Sequence, residues 1–221
     1  SGLPTYRGVG GLYNRDSPDS GLPIEVLLSG GMLRSQPATC WHHISEIEHA
    51  CRGAEPSAGH RFMAWLESQR SGVVVLTQNV DGLHRAAGSQ ELIEIHGTVH
   101  QLYCTECEWT DEVVDYSGLE IPPSCPRCAG LVRPAVVLFD EQLPPRALHR
   151  LRAELHRGFD LVLSVGTTSV FPYIAEPVHH ANRAGGWTVE INPGESAISH
   201  HVKQRIQARG APVFEALWRV L

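Results

Sequence analysis

The sequence contains no run of 18 consecutive apolar residues, so no segment is long enough to form a membrane-spanning helix. We also expect no secretory leader, because the opening residues from Ser1 to Gly8 include no apolar core. We find neither internal repeats nor low-complexity tracts. Since the chain does not begin with Met, we expect that residues precede Ser1 in the natural protein.

An excess of positive charge is missing as well. The 221 residues carry 18 Lys and Arg against 24 Asp and Glu, which gives a net charge of −6. This balance argues against a mainly electrostatic grip on nucleic acid or on an anionic membrane. Hydrophobic residues make up 42% of the chain and charged residues 19%, a composition that excludes disorder. The length suits one globular domain with a small insert.

Apolar strands alternate with amphipathic helices, most clearly in the second half of the sequence. Continuous Val, Ile and Leu strands between helices are typical of a parallel sheet that is covered on both faces, so we predict an α/β fold. In such sheets ligands bind beyond the carboxyl ends of the strands. Residues 8–37 read as a long loop with a short helix near 23–28. The predicted helices are 39–52, 58–70, 81–87, 145–157, 172–183 and 212–220, and the predicted strands are 72–77, 92–96, 132–139, 160–165 and 187–191.

Four of the six cysteines form two Cys-x-x-Cys pairs, Cys104 with Cys107 and Cys125 with Cys128, separated by 17 residues. Each pair can present two thiolates to one ion, and two pairs complete a tetrahedron with bonds of roughly 2.3 Å. In a chain of this size the spacing favours zinc over disulfides or four free thiols. Four thiolates leave no position open for water, so we expect a single structural Zn²⁺ and a reducing, cytoplasmic compartment.

The cysteine segment is predicted to form a small zinc-binding module, residues 98–133, inserted between two strands of the larger sheet. Residues 1–97 and 134–221 would then make up the larger domain. A zinc ribbon could instead bind nucleic acid, but this segment carries Arg127 and Arg133 against six acidic residues, which argues against that role. The acidic residues are Glu106, Glu108, Asp111, Glu112, Asp115 and Glu120.

Polar side chains directly follow the predicted strand 72–77, in the motif Thr77–His84. Taken alone, the motif is compatible with a turn in which Asn79 and Asp81 cap the next helix. Combined with His96-Gly97 and the cysteine pairs, it makes the sequence resemble the sirtuins, which are NAD-dependent protein-lysine deacylases. The bacterial single-domain type is the most similar. The matching segments follow the family's order from residue 1 to about residue 211, and they are 2–7, 77–84, 94–97, the two cysteine pairs, 136–141, 166–168 and 191–193.

The resemblance implies a Rossmann-like NAD-binding domain and a defined reaction. The acyl-lysine carbonyl oxygen attacks the ribose carbon that holds nicotinamide, and a His then takes a proton from a ribose hydroxyl. The products are free lysine, nicotinamide and O-acyl-ADP-ribose. The matching base is His96, since a neutral imidazole near pH 7 suits such a proton transfer.

The resemblance also assigns binding residues and partners. Acyl-lysine proteins or peptides are the expected substrates, bound as an added strand with the acyl-lysine side chain against Val137 and Phe139. Neither a nucleic acid nor a membrane is an expected partner. The residues expected to bind NAD are Pro4, Tyr6, Arg7, Gln78, Asn79, Asp81, Gly166, Thr167, Thr168, Asn192, Pro193, Gly194 and Ala211. A Gly-Thr-Thr turn such as 166–168 is, by itself, equally an ordinary helix cap.

Three departures from the family pattern bear on function. The family's opening strand and its Gly-Ala-Gly-x-Ser phosphate loop are missing from the sequence, either through truncation or in reality, and a chain without them should bind NAD poorly. The usual Phe-Gly-Glu reads Phe139-Asp140-Glu141, which removes glycine's conformational freedom. Relatives that remove succinyl groups carry a Tyr and an Arg on an early helix, and the nearest equivalents here are His42 and Ser45.

Several functions remain open on the sequence alone. Deacylation is the leading hypothesis, and an ADP-ribosyltransferase or NAD hydrolase of the same family would share its first chemical step. A catalytically impaired NAD-binding module is compatible with the missing loop. An ordinary Rossmann oxidoreductase is disfavoured, because no Gly-x-Gly-x-x-Gly follows a predicted strand.

Overall fold

The computed structural model describes Leu3 and residues 21–221, and it has an α/β architecture. Two compact units share the chain, and each is described separately below. The first contains the described residues up to Glu55 together with Leu76–Ala86 and Leu92–Ala147. The second contains Pro56–Val75, Ala87–Glu91 and Leu148–Leu221.

Eight helices and eight strands occur in the described residues. The helices are α1 Ile24–Leu27, α2 Gly30–Ser35, α3 Pro37–Cys51, α4 Ala58–Gln69, α5 Leu83–Ala86, α6 Pro145–Arg157, α7 Pro172–Ala184 and α8 Gly210–Trp218. The strands are β1 Val75–Thr77, β2 Leu92–Glu94, β3 Gly97–Cys104, β4 Thr110–Glu112, β5 Val132–Val136, β6 Leu161–Val165, β7 Trp187–Ile191 and β8 Gln204–Ile206.

The strands form three sheets. Strands β6, β7 and β8 make a parallel sheet in that order, in which Val165 pairs with Ile191 and Ile191 with Ile206. Strands β4, β3 and β5 make an antiparallel sheet, and β1 pairs with β2. The parallel sheet confirms the predicted fold class, because β6 and β7 are joined by the crossover helix α7.

The predicted first and last residues of the helices and strands agree best with the structure where the hydrophobic periodicity is clear. Helix α6 and strand β7 have the predicted bounds, whereas β1 is shorter than the predicted strand 72–77. The α2 segment lies within residues 8–37, for which the sequence predicts a loop apart from a short helix near 23–28. Two glycines begin this helix, and Ser29 caps it by accepting a hydrogen bond from the Met32 amide at 3.0 Å.

The core of the first unit centres on Trp41 of α3, which is fully buried. Its ring meets Tyr116 edge to face at 5.5 Å, and its Nε1 donates to the Val132 carbonyl at 2.9 Å. A buried indole satisfied in this way packs without an unpaired donor. The same apolar cluster includes Ile44 and Leu138, so it extends from α3 to the segment after β5.

The core of the second unit is aromatic and lies between α4 and α8. Phe62 packs on Phe214 with ring centroids 5.1 Å apart, and Trp65 packs on Trp218 at 4.9 Å. A Cβ atom at Gly59 would lie 3.0 Å from the Phe214 ring, so glycine there lets α4 and α8 pack closely. Among the described residues, no helix is both long and apolar enough to cross a lipid bilayer.

The first turn of α4 depends on a histidine. The Nδ1 atom of His60 accepts a hydrogen bond from the Ser57 amide at 3.1 Å, and it lies 2.7 Å from the Ser57 hydroxyl. Burial lowers the pKa of His60 from 6.5 to about 4, so the ring is neutral at pH 7. A protonated Nδ1 could no longer accept either bond.

We therefore expect His60 to destabilise the protein in mild acid. As the pH falls from 6.5 towards 4, the unfolded chain binds a proton at His60 that the folded chain does not, so the free energy of unfolding decreases. His60→Gln keeps an acceptor for the Ser57 amide but does not titrate, and its stability should depend less on pH in this range. Urea denaturation at pH 5 and pH 7 measures the difference. His149→Gln, at an exposed position of α6, should keep the wild-type pH dependence. Equal pH dependence in His60→Gln and the wild type would contradict this role.

Candidate active site and metal centre

The strand-end motif of the first unit is organised by its own side chains. Thr77 Oγ1 accepts a hydrogen bond from the Asn79 amide at 3.1 Å. Asp81 Oδ1 accepts one from the Leu83 amide at 3.0 Å and so begins α5. The capping role that the sequence left open for Asp81 is therefore present in the structure.

His96 lies in the turn between β2 and β3, beside this motif. The Ile95 amide donates to the Thr77 carbonyl at 3.0 Å, and the ring of His96 is hydrogen-bonded to the backbone of Gln78. Burial lowers the pKa of His96 below its usual value of 6.5, although the bond to Gln78 opposes this shift. The imidazole is thus neutral at pH 7, the form that can accept a proton.

Glycine is obligatory directly after His96. Gly97 has φ +78°, and a Cβ atom there would lie 1.7 Å from the Ala135 carbonyl oxygen. No side chain fits that space, so Gly97 lets the His96 turn pack directly on β5. The Val137 amide then donates to the His96 carbonyl at 2.9 Å. The structure thereby brings together Gln78, His96 and Val137.

A buried ion pair holds the segment that follows β5. Arg133 donates to both carboxylate oxygens of Glu141, at 2.6 and 2.8 Å, and to the Val136 carbonyl at 2.8 Å. Glu141 also accepts from the Leu138 amide at 2.9 Å. Although burial alone would raise it, the hydrogen bonds from Arg133 and Leu138 keep the pKa of Glu141 below its usual value. No local sequence pattern indicates this pair.

Asp140 takes the backbone conformation that glycine would favour. Its φ is +68°, and its carboxylate accepts hydrogen bonds from the amides of Gly30 and Gly31 at 3.0 and 3.1 Å. These bonds offset the cost of a left-handed aspartate. The same carboxylates leave no room for a side chain at Gly30, where a Cβ atom would lie 2.8 Å from Glu141 and 2.9 Å from Asp140.

The two residues expected to bind substrate have different surroundings. Phe139 packs on the apolar cluster of the first unit, whereas Val137 is not part of that cluster. The amides of Val137, Leu138 and Phe139 donate respectively to His96, Glu141 and Leu28. An added peptide strand therefore cannot pair with these three amides, which restricts the strand addition expected from the sequence.

In the second unit, the expected cofactor residues meet at the carboxyl ends of β6 and β7. Gly166 follows β6 with φ +62°, and the Thr167 carbonyl accepts a hydrogen bond from the Asn192 side chain at 2.9 Å. Asn192 also accepts from the Gly194 amide, and the Pro193 carbonyl accepts from Gln207. Thr168 accepts from the Ala197 amide, and Ala211 lies in the first turn of α8.

Ser169 is a further polar residue at this sheet edge, and the sequence analysis did not single it out. Its φ is +51° and its side chain is buried, yet Oγ has no hydrogen-bond partner within the described residues. Buried hydroxyls are normally paired, so an orphan hydroxyl beside Gly166–Thr168 fits a ligand that supplies phosphate or ribose oxygens. This observation is compatible with NAD, which would be held by Gly166–Thr168 and Asn192–Gly194.

The four cysteines of the two Cys-x-x-Cys pairs form the predicted cluster. Cys104 Sγ lies 3.4 Å from Cys128 Sγ, Cys107 Sγ lies 3.7 Å from Cys125 Sγ, and all four sulfurs are within 4.8 Å of one another. Bonds of roughly 2.3 Å in a tetrahedron place sulfurs about 3.8 Å apart, so the cluster fits Zn²⁺. With four thiolate ligands, the ion would stabilise the fold and leave no position for water.

Backbone amides surround the sulfurs. The Glu106 amide donates to Cys104 Sγ at 3.3 Å and the Arg127 amide to Cys125 Sγ at 3.4 Å. A Cβ atom at Gly130 would lie 2.6 Å from the Glu106 side chain, so glycine is needed where the second pair turns back. Such N–H···S bonds favour the thiolate form that binds a metal.

Comparison with known proteins assigns the chain to a family. The Sir2 family model matches residues 1–172. The chain belongs to the Sir2 family. NAD-dependent protein deacylase 2 of Pseudomonas syringae pv. tomato is a Sir2 relative that is 50% identical over 220 residues, which is 98% of this chain and 88% of the relative. The expectation drawn from the strand-end motif, His96-Gly97 and the cysteine pairs is thereby confirmed.

Solved Sir2 structures share the fold. A Sir2 homolog–NAD complex has a TM-score of 0.85 and 32% identity, and the match covers 100% of this chain and 83% of that one. A complex described as Sir2-p53 peptide-NAD+ has a TM-score of 0.82 and 27% identity, and it covers 99% and 87%. Pro4, Tyr6 and Arg7 lie outside the described residues, so their expected contact with NAD stays a prediction.

Loss of one ligand should release the metal. Cys104→Ser should lower the zinc content below one ion per chain and destabilise the first unit, because a metal bound only by the folded state stabilises it. Elemental analysis and thermal unfolding measure both effects. Cys51→Ser, which changes a half-buried cysteine outside the cluster, is the matched control and should keep full zinc content. Full metal content in Cys104→Ser would show that the four-thiolate assignment is wrong.

Proposed function

We propose that this Sir2 chain is an NAD-dependent protein-lysine deacylase that transfers the acyl group to ADP-ribose and releases nicotinamide. The observation that carries the proposal is the placement of His96. Its neutral imidazole is hydrogen-bonded to Gln78 of the strand-end motif, and its main chain is bonded to Val137. A proton acceptor thus lies between a cofactor motif and a substrate segment.

His96 acts as the general base in this proposal. NAD supplies the ribose whose hydroxyl must lose a proton before it can attack the acyl group. A half-buried imidazole with a lowered pKa is unprotonated at neutral pH and can take that proton. The Gln78 backbone holds the ring in one orientation, because a hydrogen-bonded imidazole cannot rotate freely.

The NAD contacts divide between two groups of residues. Gln78 and Asn79 bind the nicotinamide ribose, and Asp81 accepts a hydrogen bond from the nicotinamide amide. Gly166, Thr167, Thr168, Asn192, Pro193, Gly194 and Ala211 bind the phosphates and the adenosine. A curated relative named as an NAD-dependent deacylase and a solved Sir2–NAD complex support this assignment. Pro4, Tyr6 and Arg7 would complete the site.

Acyl-lysine peptides are the proposed substrates, with the acyl-lysine side chain against Val137 and Phe139. The Sir2-p53 peptide-NAD+ complex supports a peptide partner. Residues 98–133 would form the zinc module of a Rossmann-like enzyme. All six cysteines are free of disulfides, which supports a reducing, cytoplasmic location.

Removal of the base should abolish turnover without unfolding the chain. His96→Ala should lower kcat by about 10²- to 10⁴-fold, the usual cost of losing a general base. Nicotinamide and O-acetyl-ADP-ribose are measured with an acetyl-lysine peptide, and His149→Ala serves as the control. Because burial lowers the pKa of His96, the acid limb of the wild-type pH profile should lie below pH 6.5. Wild-type rates in His96→Ala would refute the role of His96 as base. If NAD labelled in its ADP-ribose part left its label on protein, the activity would be ADP-ribosyl transfer instead.

We expect no cation of α3 to face the acyl group. The side chain of His42 is 65% exposed, whereas Ile44 is 2% exposed and belongs to the apolar cluster with Phe139. Ile44, and not His42, therefore lies on the buried face of the helix. Arg133 is already paired with both oxygens of Glu141.

Neutral acyl groups should consequently react faster than dicarboxylic ones. Neither α3 nor the paired Arg133 offers a free cation to a succinyl carboxylate, and burial of that carboxylate without one costs on the order of several kcal/mol. We expect kcat/KM for acetyl- and butyryl-lysine to exceed that for succinyl-lysine on one peptide sequence at pH 7.5. A larger value for succinyl-lysine would show that a cation reaches the acyl group from another part of the chain.

A further inference from the structure

The imidazole of His100 lies between two backbone segments of the first unit. Its Nε2 atom is 3.2 Å from the Asp81 carbonyl oxygen, and its Nδ1 atom is 3.2 Å from the Val113 carbonyl oxygen. Asp81 belongs to the strand-end motif, whereas Val113 follows β4, between the two cysteine pairs. Only a ring nitrogen that carries a proton donates a hydrogen bond. A neutral ring can therefore donate to one of these two carbonyl oxygens, and an imidazolium can donate to both.

The ring also packs on the backbone of the motif. Gly82 has φ +70°, and a Cβ atom there would lie 2.9 Å from Cδ2 of His100. Any side chain at residue 82 would therefore displace the ring. Gly82 and His100 form a matched pair, in which the missing side chain makes room for the imidazole next to Asp81.

Hydrogen bonds from β3 also hold Val80, the residue before Asp81. The Val99 amide donates to the Val80 carbonyl at 3.0 Å, and the Thr98 hydroxyl donates to it at 3.4 Å. These bonds end at Val80. When Nε2 carries the ring proton, His100 donates to the Asp81 carbonyl and extends the hold of β3 by one residue, to Asp81, whose carboxylate accepts from the Leu83 amide.

We propose that His100 is a positioning residue for the nicotinamide end of the NAD site. It fixes the main chain of Asp81, so that the carboxylate is placed to accept from the carboxamide of nicotinamide. The inference rests on the proposed function, in which Asp81 has that role. His100 itself contacts neither NAD nor peptide in this scheme and acts through Asp81.

A purely structural role for His100 makes a different prediction, and Tyr116 provides the comparison. The Tyr116 hydroxyl donates to the Val99 carbonyl at 2.7 Å and is buried. Tyr116→Phe thus removes a side-chain bond to the neighbouring residue of the same strand without touching Asp81. If His100 only stabilised β3, the two variants would behave alike.

The test compares His100→Phe with Tyr116→Phe in the intact zinc-loaded protein. Phenylalanine keeps a flat ring against Gly82 but removes both nitrogens. Loss of one such hydrogen bond should raise the inhibition constant of nicotinamide and the KM for NAD by about two- to tenfold, with little change in kcat. Tyr116→Phe should leave both constants unchanged, and His100→Gln, which restores one donor, should recover part of the loss.

Hydrogen exchange followed by mass spectrometry provides a readout that does not depend on turnover. Amides in residues 79–83 should exchange faster in His100→Phe than in the wild type, and at the wild-type rate in Tyr116→Phe. Unchanged exchange and an unchanged nicotinamide constant in His100→Phe would overturn the inference, as would equal effects in both variants. If the wild type released no nicotinamide with any acyl-lysine peptide, the proposed function would fail, and the exchange rates would still decide the role of His100.

Discussion

Strand β3 pairs with β5, and the functional residues of the first unit lie at the two ends of this pair. At one end Cys104 faces Val132, next to the cluster of four cysteines. At the other end Gly97 faces Val136, directly after His96 and before Val137. The pairing therefore sets where the metal centre and the proposed base lie along one sheet. The close approach of Gly97 to Ala135 makes the pair intolerant of any side chain at that end.

Buried charges set the shape of the substrate segment after β5. Arg133 and Glu141 satisfy each other, and the remaining bonds of both side chains go to backbone atoms of Pro134, Val136 and Leu138. Removing one partner of such a pair costs about 3–5 kcal/mol, since the other charge stays buried. Asp140 adds its two bonds to the glycines of α2. Charged side chains here therefore fix the main chain on both sides of Phe139.

The sequence predicted what depends on residue spacing along the chain. Helix α6 and strand β7 follow from their hydrophobic periods, and the cysteine cluster follows from two Cys-x-x-Cys pairs because each pair is a local turn. The α2 helix escaped prediction, since Gly30 and Gly31 are poor helix formers. Its first amides are bonded to Asp140, more than 100 residues further along, and no local pattern contains that information.

By itself, the sequence indicated the family, four candidate metal ligands and His96 as the proposed base, because each of these depends on a short motif. Only the tertiary structure decided how those motifs are held. It showed Ile44 on the buried face of α3 in place of His42 and His100 against Asp81. It also showed a Ser169 hydroxyl beside Gly166–Thr168 that has no partner in the described part of the chain. Burial and hydrogen bonding depend on which distant segments meet, and a helix or strand pattern does not specify its partners.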